Sequence, residues 1–355
     1  MESITTPNYS IHFNKNCYSE LNLLLKNSNF SKLFILVDSN THTHCLPYFL
    51  SQVVTALEIE IIEIEAGEIH KNIETCTGVW NALSELDGDR KSLLINVGGG
   101  VVTDLGGFVA STFKRGIKYI NVPTSLLAMV DASVGGKTGV DLGILKNQIG
   151  VINFSEMVLV DTHFLNTLPE NETNSGMAEM LKHGLIQDEK YWEAMTKVQA
   201  CHYKSFDNLI YDSILIKNEV VKIDPNENGL RKTLNYGHTL GHAIESYFLI
   251  NKNKTALLHG EAIAVGMILA TYISFKLFDF PEEKLNTIKE VLIRNYGKVE
   301  FLDSDYKEII ELLKFDKKNS HGNINFVLLV DIAKTKLDCI VSNALILESF
   351  KFYAS

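Results

Sequence analysis

The sequence predicts a two-part chain, in which an α/β domain with a parallel sheet is followed by a mainly helical domain. Through the first half, short β-branched runs alternate with helix-like segments, a pattern typical of βαβ units around a buried parallel sheet. After about residue 168 the segments become long, amphipathic and helical. No linker rich in Pro, Gly or Ser separates the two parts. We therefore expect domains at residues 1–168 and 169–355.

Five segments of the first half are predicted to be strands, because each is short and mostly apolar and several end in Gly, Asp or Ser. They are residues 32–40, 59–68, 92–100, 119–125 and 157–162. In the second half, residues 203–224 and 259–278 are predicted to be helical, and only residues 323–334 look like a strand.

The composition is that of a globular protein whose 355 residues carry a formal net charge of −10. This charge argues against an extended nucleic-acid surface, which needs a basic field, although it allows a local basic pocket for an anionic small molecule. The N-terminal residues lack the features of a signal peptide, and the longest apolar runs look shorter than a membrane span. The cysteines are scattered without a CxxC pair, which indicates reduced thiols: Cys17, Cys45, Cys76, Cys201 and Cys339. We expect a cytoplasmic protein with neither nucleic acid nor membrane as a partner.

A glycine-rich turn at residues 96–111 follows a predicted strand and opens a predicted helix. Three consecutive glycines would let the backbone approach a pyrophosphate, whose charge a helix N-terminus favours. The spacing is not GxGxxG, so the usual dinucleotide fingerprint is absent. A nucleotide-binding turn and a merely tight turn both fit this pattern. Asp38, which closes an earlier strand, fits either a ribose contact or an ordinary turn residue.

Residues 131–150 form a second glycine-containing stretch, which carries Lys137, Lys146 and Asn147. A P-loop is excluded, because Asp131 stands where the upstream glycine is required. The sequence predicts a flexible loop whose two cations and carboxamide suit a phosphorylated, oxygen-rich substrate. A solvated surface loop with incidental lysines is the alternative.

The segment NYGHTLGHAIE places His238, His242 and Glu245 on one face of a predicted helix. These three side chains could form a local metal clamp. Glu179 offers a more distant partner, because it lies among small and apolar neighbours on another predicted helix and a buried carboxylate needs a cation or a metal. Glu179, His238 and His259 would make a set with open positions, as catalytic zinc requires. His183 competes as an alternative ligand.

Several ordered motifs together resemble the 3-dehydroquinate synthases, members of the sugar phosphate cyclases. The resemblance runs from about Asp38 to the DKK at residues 316–318. The motifs that carry it are GGGVVTDLGGFVAS, KRGIKYINVPTSLLAMVDASVGGKTGVD, LKNQIG, FLNTLP, SGMAEMLKHG, GLRKTLNYGHTLGHAIE and LHGEAIAVGM. This resemblance implies an N-terminal Rossmann-like, nucleotide-binding α/β domain followed by a mainly helical metal-binding domain, generally in a homodimer.

The resemblance also implies an activity, the conversion of 3-deoxy-D-arabino-heptulosonate 7-phosphate, a phosphorylated seven-carbon keto acid, into 3-dehydroquinate and phosphate. This is a step of the shikimate pathway of aromatic amino acid biosynthesis. It proceeds by transient oxidation with NAD, phosphate elimination, reduction, ring opening and aldol cyclisation. NAD is regenerated in each turnover. A divalent metal, usually zinc and alternatively cobalt, binds two adjacent substrate hydroxyls and lowers the pKa of the one that is oxidised.

Site residues are carried over from the family position by position. The metal ligands implied are Glu179, His238 and His259. The implied NAD contacts are Asp38, Asn40, Glu68, Lys71, Gly98, Gly99, Gly100, Asp104, Thr124, Ser125, Lys137, Lys146, Phe164, Thr167 and Leu168. The implied substrate and catalytic residues are Asp131, Lys137, Lys146, Asn147, Lys182, Lys217, Arg231, Asn235, His242 and Lys317, with Arg115 reaching into the neighbouring subunit's site. His242 is the implied proton shuttle, and Glu245 is expected to orient a histidine.

The sequence departs from the family's usual pattern at a few positions. Ser125 replaces a threonine, Leu145 replaces a glycine before the Lys-Asn pair, and Asn171 replaces an arginine. His183 stands where a tyrosine is common, and the stretch 247–260, between two implied metal ligands, is a few residues longer than typical.

Three other functions compete with this interpretation. A polyol dehydrogenase of related fold also combines NAD with a metal, but a small alcohol does not need the cations of residues 131–150. Other sugar phosphate cyclases share the GHTxGHAxE helix but alter the GGK sequence, which is intact here. A non-catalytic nucleotide-binding module would not need a metal set spread over three segments.

Overall fold

The computed structural model describes residues 1–143, 145–198, 206–313 and 324–355. The chain forms two compact units, residues 1–169 and 170–355. Lys317, one of the implied substrate contacts, lies outside the described residues.

The N-terminal unit is an α/β unit built on a seven-stranded sheet of order β1-β2-β9-β6-β5-β3-β4. The pair β1 and β2 is antiparallel, and the other pairs of this sheet are parallel. Its strands are β1 Ile4–Thr5, β2 Ser10–Phe13, β3 Leu33–Asp38, β4 Ile59–Ile64, β5 Leu93–Gly98, β6 Lys118–Pro123 and β9 Met157–Val160, and a separate hairpin consists of β7 Lys137–Leu142 and β8 Leu145–Ile152. Its helices are α1 Lys15–Asn27, α2 Ser39–His44, α3 Leu46–Gln52, α4 Ile73–Glu85 and α5 Gly100–Thr112.

The five predicted strands of this unit are confirmed as β3, β4, β5, β6 and β9. Strands β3 and β5 are almost wholly buried and apolar, as expected of inner parallel strands. Phe34, Leu94 and Leu105 belong to the core between this sheet and helices α4 and α5. The prediction omitted β1 and β2, which are only two and four residues long.

The prediction of a flexible loop at 131–150 was wrong, because most of this stretch forms the antiparallel hairpin β7–β8. Gly139 and Gly150 lie opposite each other in the hairpin. A Cβ atom at Gly139 would lie 2.4 Å from the Ile149 carbonyl oxygen, and one at Gly150 would lie 2.2 Å from the Thr138 carbonyl oxygen. These two glycines therefore allow close strand pairing.

The C-terminal unit is mainly helical, as predicted, and its described residues include an antiparallel hairpin. Its helices are α6 Glu170–Gln187, α7 Glu189–Met195, α8 Asp207–Ile223, α9 His238–Ile250, α10 His259–Phe278, α11 Glu282–Tyr296, α12 Asp303–Leu312 and α13 Asn343–Ala354. The hairpin consists of β10 Asn325–Asp331 and β11 Lys334–Ile340. The expectation that only residues 323–334 form a strand here was wrong, because β11 pairs with β10. Strand β11 was not predicted because its sequence, KTKLDCI, is largely exposed and lacks an apolar run.

Helix α10 is the centre of this unit, and it packs against α6, α9, α11, α13 and β10. By length and composition alone it could cross a membrane, which departs from the expectation that the apolar runs are too short. Two thirds of its most apolar window (67%) is buried inside the chain, as in the core helix of a globular protein. This finding is therefore weak evidence for a membrane span.

Candidate active site

The carboxyl edge of the parallel sheet has a topological switch point between β3 and β5. From β3 the chain goes to β4 on one side, and it then returns to β5 on the other side of β3. Asp38 ends β3, and Gly98 ends the neighbouring β5. Open α/β sheets bind ligands in the crevice outside such a point.

The glycine-rich turn lies at this switch point and is shaped by close packing. Gly98 ends β5 and Gly99 precedes helix α5, whose N-terminus is capped by no side chain of the described residues. A Cβ atom at Gly98 would lie 2.5 Å from the Val102 side chain, and one at Gly99 would lie 3.3 Å from Ser125 Oγ. Glycine at these positions avoids a collision with Val102 or Ser125, and the backbone N–H groups at the start of this 13-residue helix suit a phosphate group.

Asp38 is a helix cap in this structure. Its Oδ1 atom accepts the Thr41 N–H at 2.8 Å, and Thr41 Oγ1 accepts the Asp38 N–H at 2.9 Å. This reciprocal pair is a capping box for helix α2. The turn role of Asp38 is thus observed, and Asn40 lies exposed in the same helix.

A charge network in the N-terminal unit joins predicted cofactor contacts to predicted substrate contacts. The buried Lys71 Nζ lies 2.7 Å from Asp104 Oδ2 and 2.7 Å from Asn147 Oδ1. Glu68 Oε1 lies 3.0 Å from Lys146 Nζ and 3.9 Å from Lys71 Nζ. Burial alone would lower the pKa of Lys71, but Asp104, Glu68 and Asp141 raise it above its usual value. Burial raises the pKa of Asp104 even though Lys71 opposes the shift.

Asp141, which sequence analysis missed, holds Asn147 in an uncommon conformation. Asn147 has a left-handed φ of 52°, and its backbone N–H donates to Asp141 Oδ1 at 2.6 Å. The Asp141 N–H donates to the Lys71 carbonyl at 2.9 Å. Burial raises the pKa of Asp141, with the Lys71 charge opposing the shift. Asp141 therefore connects Asn147 to Lys71 through the backbone.

Other predicted cofactor contacts lie at the ends of β6 and β9. The Thr124 N–H donates to the Gly98 carbonyl at 3.0 Å, and Thr124 and Thr167 both contact the thiol of Cys45. Burial raises the pKa of this thiol to about 11, although the two threonine hydroxyls oppose the shift. Phe164 is buried in the short helix Thr162–Asn166, and Leu168 follows its end.

Asp161, another residue that sequence analysis missed, anchors this short helix. Its Oδ2 atom accepts the hydroxyls of Tyr18 and Tyr48, each at 2.8 Å. Its Oδ1 atom accepts the His163 N–H at 3.0 Å and so caps the helix. An Asp that directly follows an apolar strand is the sequence signal that could have revealed it, because Asp is favoured at the N-cap of a helical turn.

The remaining predicted residues of this unit lie on other elements, although the charge of Asp131 adds to the raised pKa of Asp104. Asp131 belongs to a π-helical turn, Ala128–Ala132, and Lys137 begins β7. Arg115 is exposed, and it follows Lys114 in a turn where φ is 48° at Lys114 and 71° at Arg115. Two successive non-glycine residues in the left-handed region mark a strained turn.

In the C-terminal unit, two imidazoles converge on one buried carboxylate. His238 Nε2 lies 3.3 Å from Glu179 Oε1, and His259 Nε2 lies 3.5 Å from the same oxygen. Glu179 is fully buried in α6, whereas the histidines begin α9 and α10. The structure thus brings together the three residues that the resemblance implied as metal ligands.

Glycines allow the two histidine-bearing helices to approach each other closely. A Cβ atom at Gly266 of α10 would lie 2.1 Å from the Gly237 carbonyl oxygen, and one at Gly241 would lie 2.6 Å from the Ile263 side chain. Gly237 also has a left-handed φ of 76°, which starts α9 immediately before His238. Larger residues at these positions would push the ligand-bearing helices apart.

The outer nitrogen of each histidine has its own partner. His238 Nδ1 lies 3.1 Å from the Tyr236 carbonyl oxygen, and His259 Nδ1 lies 3.2 Å from Glu245 Oε2. Carbonyl and carboxylate partners of this kind orient metal-binding histidines in proteins. The expectation that Glu245 orients a histidine matches this contact. The local clamp considered from the sequence made Glu245 a metal ligand, whereas in the structure its carboxylate contacts His259.

His242 and His183 also lie near the presumed ligands. The imidazoles of His238, His242 and His259 offer ligand atoms within 4.8 Å of one another, so these histidines form a second possible set. His183 is fully buried, and its Nδ1 lies 2.8 Å from Ser213 Oγ. The sets with Glu179 and with His242 share His238 and His259. A further grouping joins His183 to Glu179, because their ligand atoms also lie within 4.8 Å of each other.

The charges around Glu179 fix its ionised form. Burial alone would raise the pKa of Glu179, but the adjacent Lys182 ammonium and His238 hold it well below 4.5. Burial and the Lys182 charge lower the pKa of His238 to about 4, although Glu179 opposes them. Burial would lower the pKa of His259, but Glu245 and Glu179 raise it to about 9. Metal binds an ionised carboxylate and neutral imidazoles, so Glu179 and His238 have the binding form at neutral pH, whereas His259 would release a proton when a metal binds.

Other predicted substrate contacts of this unit are buried polar groups. Lys182, Lys217 and Arg231 are each at most 5% exposed. The Arg231 guanidinium donates to the Pro225 carbonyl at 2.6 Å, and the Asn235 side-chain amide donates to Glu227 Oε1 at 2.8 Å. Lys182 lies against the Glu179 carboxylate, and basic side chains of this kind bind the carboxylate and phosphate groups of anionic ligands in proteins.

Comparison with known proteins identifies the chain. Sequence models of the 3-dehydroquinate synthase N-terminal and C-terminal domains match residues 61–175 and 176–319. A 3-dehydroquinate synthase of Parabacteroides distasonis is 41% identical over 341 residues, which cover 96% of each chain. A structure of 2-deoxy-scyllo-inosose synthase, complexed with carbaglucose-6-phosphate, NAD+ and Co2+, has a TM-score of 0.85 and is 26% identical, with 99% of each chain covered.

The fold is that of the sugar phosphate cyclases, as predicted. The chain belongs to the 3-dehydroquinate synthase family. The predicted enzyme type, a carbon–oxygen lyase acting on phosphates, is confirmed. A butanol dehydrogenase from Thermotoga maritima, with a TM-score of 0.69 over 100% of this chain and 99% of its own, is only 15% identical and shares the fold alone. The dehydrogenase alternative is therefore not favoured.

Proposed function

We propose that this chain makes 3-dehydroquinate from 3-deoxy-D-arabino-heptulosonate 7-phosphate, with a divalent metal in the C-terminal unit and NAD in the N-terminal unit. The observation that carries the proposal is the convergence of His238 Nε2 and His259 Nε2 on Glu179 Oε1. Two nitrogens and a carboxylate oxygen form a donor set that suits zinc and leaves positions open for substrate oxygens.

The residues present fit both groups. Glu179, His238 and His259 would hold the metal, with Tyr236 and Glu245 orienting the imidazoles. The uncapped start of α5 would hold the NAD pyrophosphate at the switch point. When bound, the metal would polarise a substrate hydroxyl and NAD would accept and return a hydride.

The chain's own side chains would orient the substrate and move protons. Lys182, Lys217 and Arg231 would neutralise its carboxylate or phosphate in a buried setting. The resemblance also implies substrate contacts for Lys146 and Asn147, and Lys146 would exchange its contact with Glu68 for one with the ligand. Holding one flexible substrate through several steps is mainly an entropic contribution.

His242 is the proposed proton shuttle. It lies one helical turn after His238, and its ring centroid is 5.1 Å from that of His238 and 5.8 Å from that of His259. An imidazole can both accept and donate a proton, and histidine is the side chain most often used as a general acid–base. The remaining carried-over residues are proposed to have the roles implied by the resemblance.

The proposal extends to the setting of the enzyme. We take zinc as the native metal, which cobalt can replace, and a cytoplasmic homodimer without nucleic-acid or membrane partners. The net charge of −10 supports the absence of a nucleic-acid surface. The exposed, strained turn of Lys114 and Arg115 supports a role for Arg115 in a neighbouring subunit.

One assay tests the reaction. The protein is supplied with the seven-carbon phosphate substrate, NAD and zinc, and phosphate and NADH are both followed. Phosphate release without net NADH supports the proposal. Stoichiometric NADH would show a net dehydrogenase and overturn it.

A further inference from the structure

Ser175 links the two helices that carry Glu179 and His259. Its Oγ atom accepts the backbone N–H of Gly260 at 2.9 Å, and this contact is buried. Ser175 lies one helical turn before Glu179 in α6, and Gly260 directly follows His259 in α10. The hydrogen bond therefore joins positions next to two presumed ligands from different helices.

The hydrogen bond from Gly260 to Ser175 gives a partner to a backbone N–H that has no acceptor within α10. Gly260 is in the first turn of α10, where backbone N–H groups have no partner within the helix. The preceding Leu258 N–H is satisfied locally, because it donates to Glu261 Oε2 at 2.7 Å. Gly260 instead depends on a hydroxyl from α6, since Ser175 is only 2% exposed and water has little access.

Close packing of the Gly260 backbone against the Ser175 backbone restricts the position of α10 relative to α6. A Cβ atom at Gly260 would lie 2.2 Å from the Ser175 carbonyl oxygen and 2.4 Å from Ser175 Cα. The start of α10 thus rests directly on the backbone of α6. The hydroxyl of Ser175 fixes the direction of this contact, because a hydrogen bond has a preferred angle and packing alone does not.

We propose that Ser175 is a positioning residue of the metal centre, which sets the separation of Glu179 from His259 through the Gly260 N–H. Ser175 acts through the backbone and is not a ligand. The proposal rests on the proposed function, since it assumes that these two residues bind the metal. Small misplacements of ligands are costly, and loss of an outer partner typically weakens metal binding about 10- to 100-fold.

Ser274 supplies a matched control within the same helix. It is fully buried in α10, and its Oγ accepts the Leu329 N–H at 2.9 Å, which is the same type of link between elements. It lies 15 positions after His259, so its loss should not move the ligands. Ser175→Ala and Ser274→Ala therefore remove the same chemical group at two distances from the presumed metal site.

The test measures metal binding by purified full-length variants. Zinc dissociation constants come from competition with a chromophoric chelator, and the visible spectrum of the cobalt-substituted protein reports ligand geometry. We expect Ser175→Ala to weaken zinc binding about tenfold and to change the cobalt spectrum. We expect Ser274→Ala to lower the melting temperature but to keep the wild-type zinc affinity and spectrum.

Equal zinc affinities and cobalt spectra for the two alanine variants would overturn the proposal. Glu179→Gln, measured in parallel, separates this failure from that of the proposed function. If Glu179→Gln retains zinc, the proposed metal site is wrong; if it loses zinc while Ser175→Ala binds normally, only the role of Ser175 is wrong. If Ser175→Ala does not fold, Ser175→Cys replaces it, because its sulfur is a weaker acceptor. Weaker zinc binding and a changed cobalt spectrum would support the proposal, and wild-type values for both would overturn it.

Discussion

The Nδ1 atom of His259 lies 3.2 Å from the Oε2 atom of Glu245, a buried carboxylate in helix α9. This contact leaves His259 Nε2 directed at Glu179. We predict that Glu245→Gln weakens zinc binding about 10- to 100-fold, because the amide orients the imidazole less strongly and lowers its basicity. Isothermal titration of the metal-free protein measures the effect. Glu219→Gln, on an exposed surface, is the control, and equal zinc affinity in both variants would contradict the prediction.

Glu179 and His242 distinguish the ligand set that contains Glu179 from the all-histidine set. We predict that Glu179→Gln loses both bound zinc and turnover, because the site loses its charged oxygen ligand. We predict that His242→Gln keeps its zinc while turnover falls about 10²- to 10⁴-fold, as expected for loss of a general acid–base. Metal analysis after dialysis and phosphate-release assays measure the two effects. Zinc lost from His242→Gln and kept by Glu179→Gln would favour the all-histidine set.

Local sequence patterns were sufficient to predict β5 and helix α5, because an apolar run and three glycines define them without distant partners. Hairpin β7–β8 could not be predicted in this way. Its glycines suggest flexibility when considered singly, and their purpose appears only where Gly139 meets Gly150 across the pair. Strand β11 was missed for a related reason, since it is an exposed strand that pairs only with β10.

The candidate site shows the same division between local and tertiary information. The spacing of His238 and His242 is visible in the sequence, but nothing local says that His259 lies beside Glu179, 80 positions earlier. That set was expected from the family resemblance. Asp141 and Ser175 were missed because each accepts a backbone N–H. Almost every residue has such a group, so the sequence does not indicate which one a side chain will bind.

Asp141 offers a test of how Asn147 is held. We predict that Asp141→Ala raises the KM for substrate about tenfold with little change in kcat, because Asn147 loses the acceptor that fixes its left-handed backbone. Asp141→Asn keeps an acceptor oxygen and should restore most of the affinity. Asp89→Ala is the control, since Asp89 likewise accepts a backbone N–H, from Lys91 at 2.7 Å. If Asp141→Ala and Asp89→Ala have the same KM, Asp141 does not position Asn147.

Asp305 provides a pH-dependent contribution to stability in the C-terminal unit. Its carboxylate accepts the Tyr247 hydroxyl at 2.7 Å and the Leu302 N–H at 2.9 Å. It also lies 2.6 Å from the Nζ atom of Lys254, a residue of the lengthened stretch 247–260. Burial alone would raise the pKa of Asp305, but Lys254 and these hydrogen bonds lower it below 3.8. A lowered folded-state pKa means that the stabilisation is present above the unfolded-state pKa, about 3.9, and is lost as the pH falls through the folded-state value.

We therefore predict that Asp305→Asn destabilises the protein at pH 7 by about 1–3 kcal/mol, and that the difference from wild type shrinks as the pH falls below about 4. Urea unfolding at pH 7, 4 and 3 measures the free energy of unfolding, if both proteins remain folded without urea at each pH.

Lys254→Met should reproduce part of the loss at pH 7, because it removes one partner of the same carboxylate. Asp338→Asn, whose exposed side chain faces Lys232 at 3.1 Å, is the control and should change little at any pH. A constant difference between wild type and Asp305→Asn from pH 7 to pH 3 would show that the Asp305 charge does not stabilise this unit.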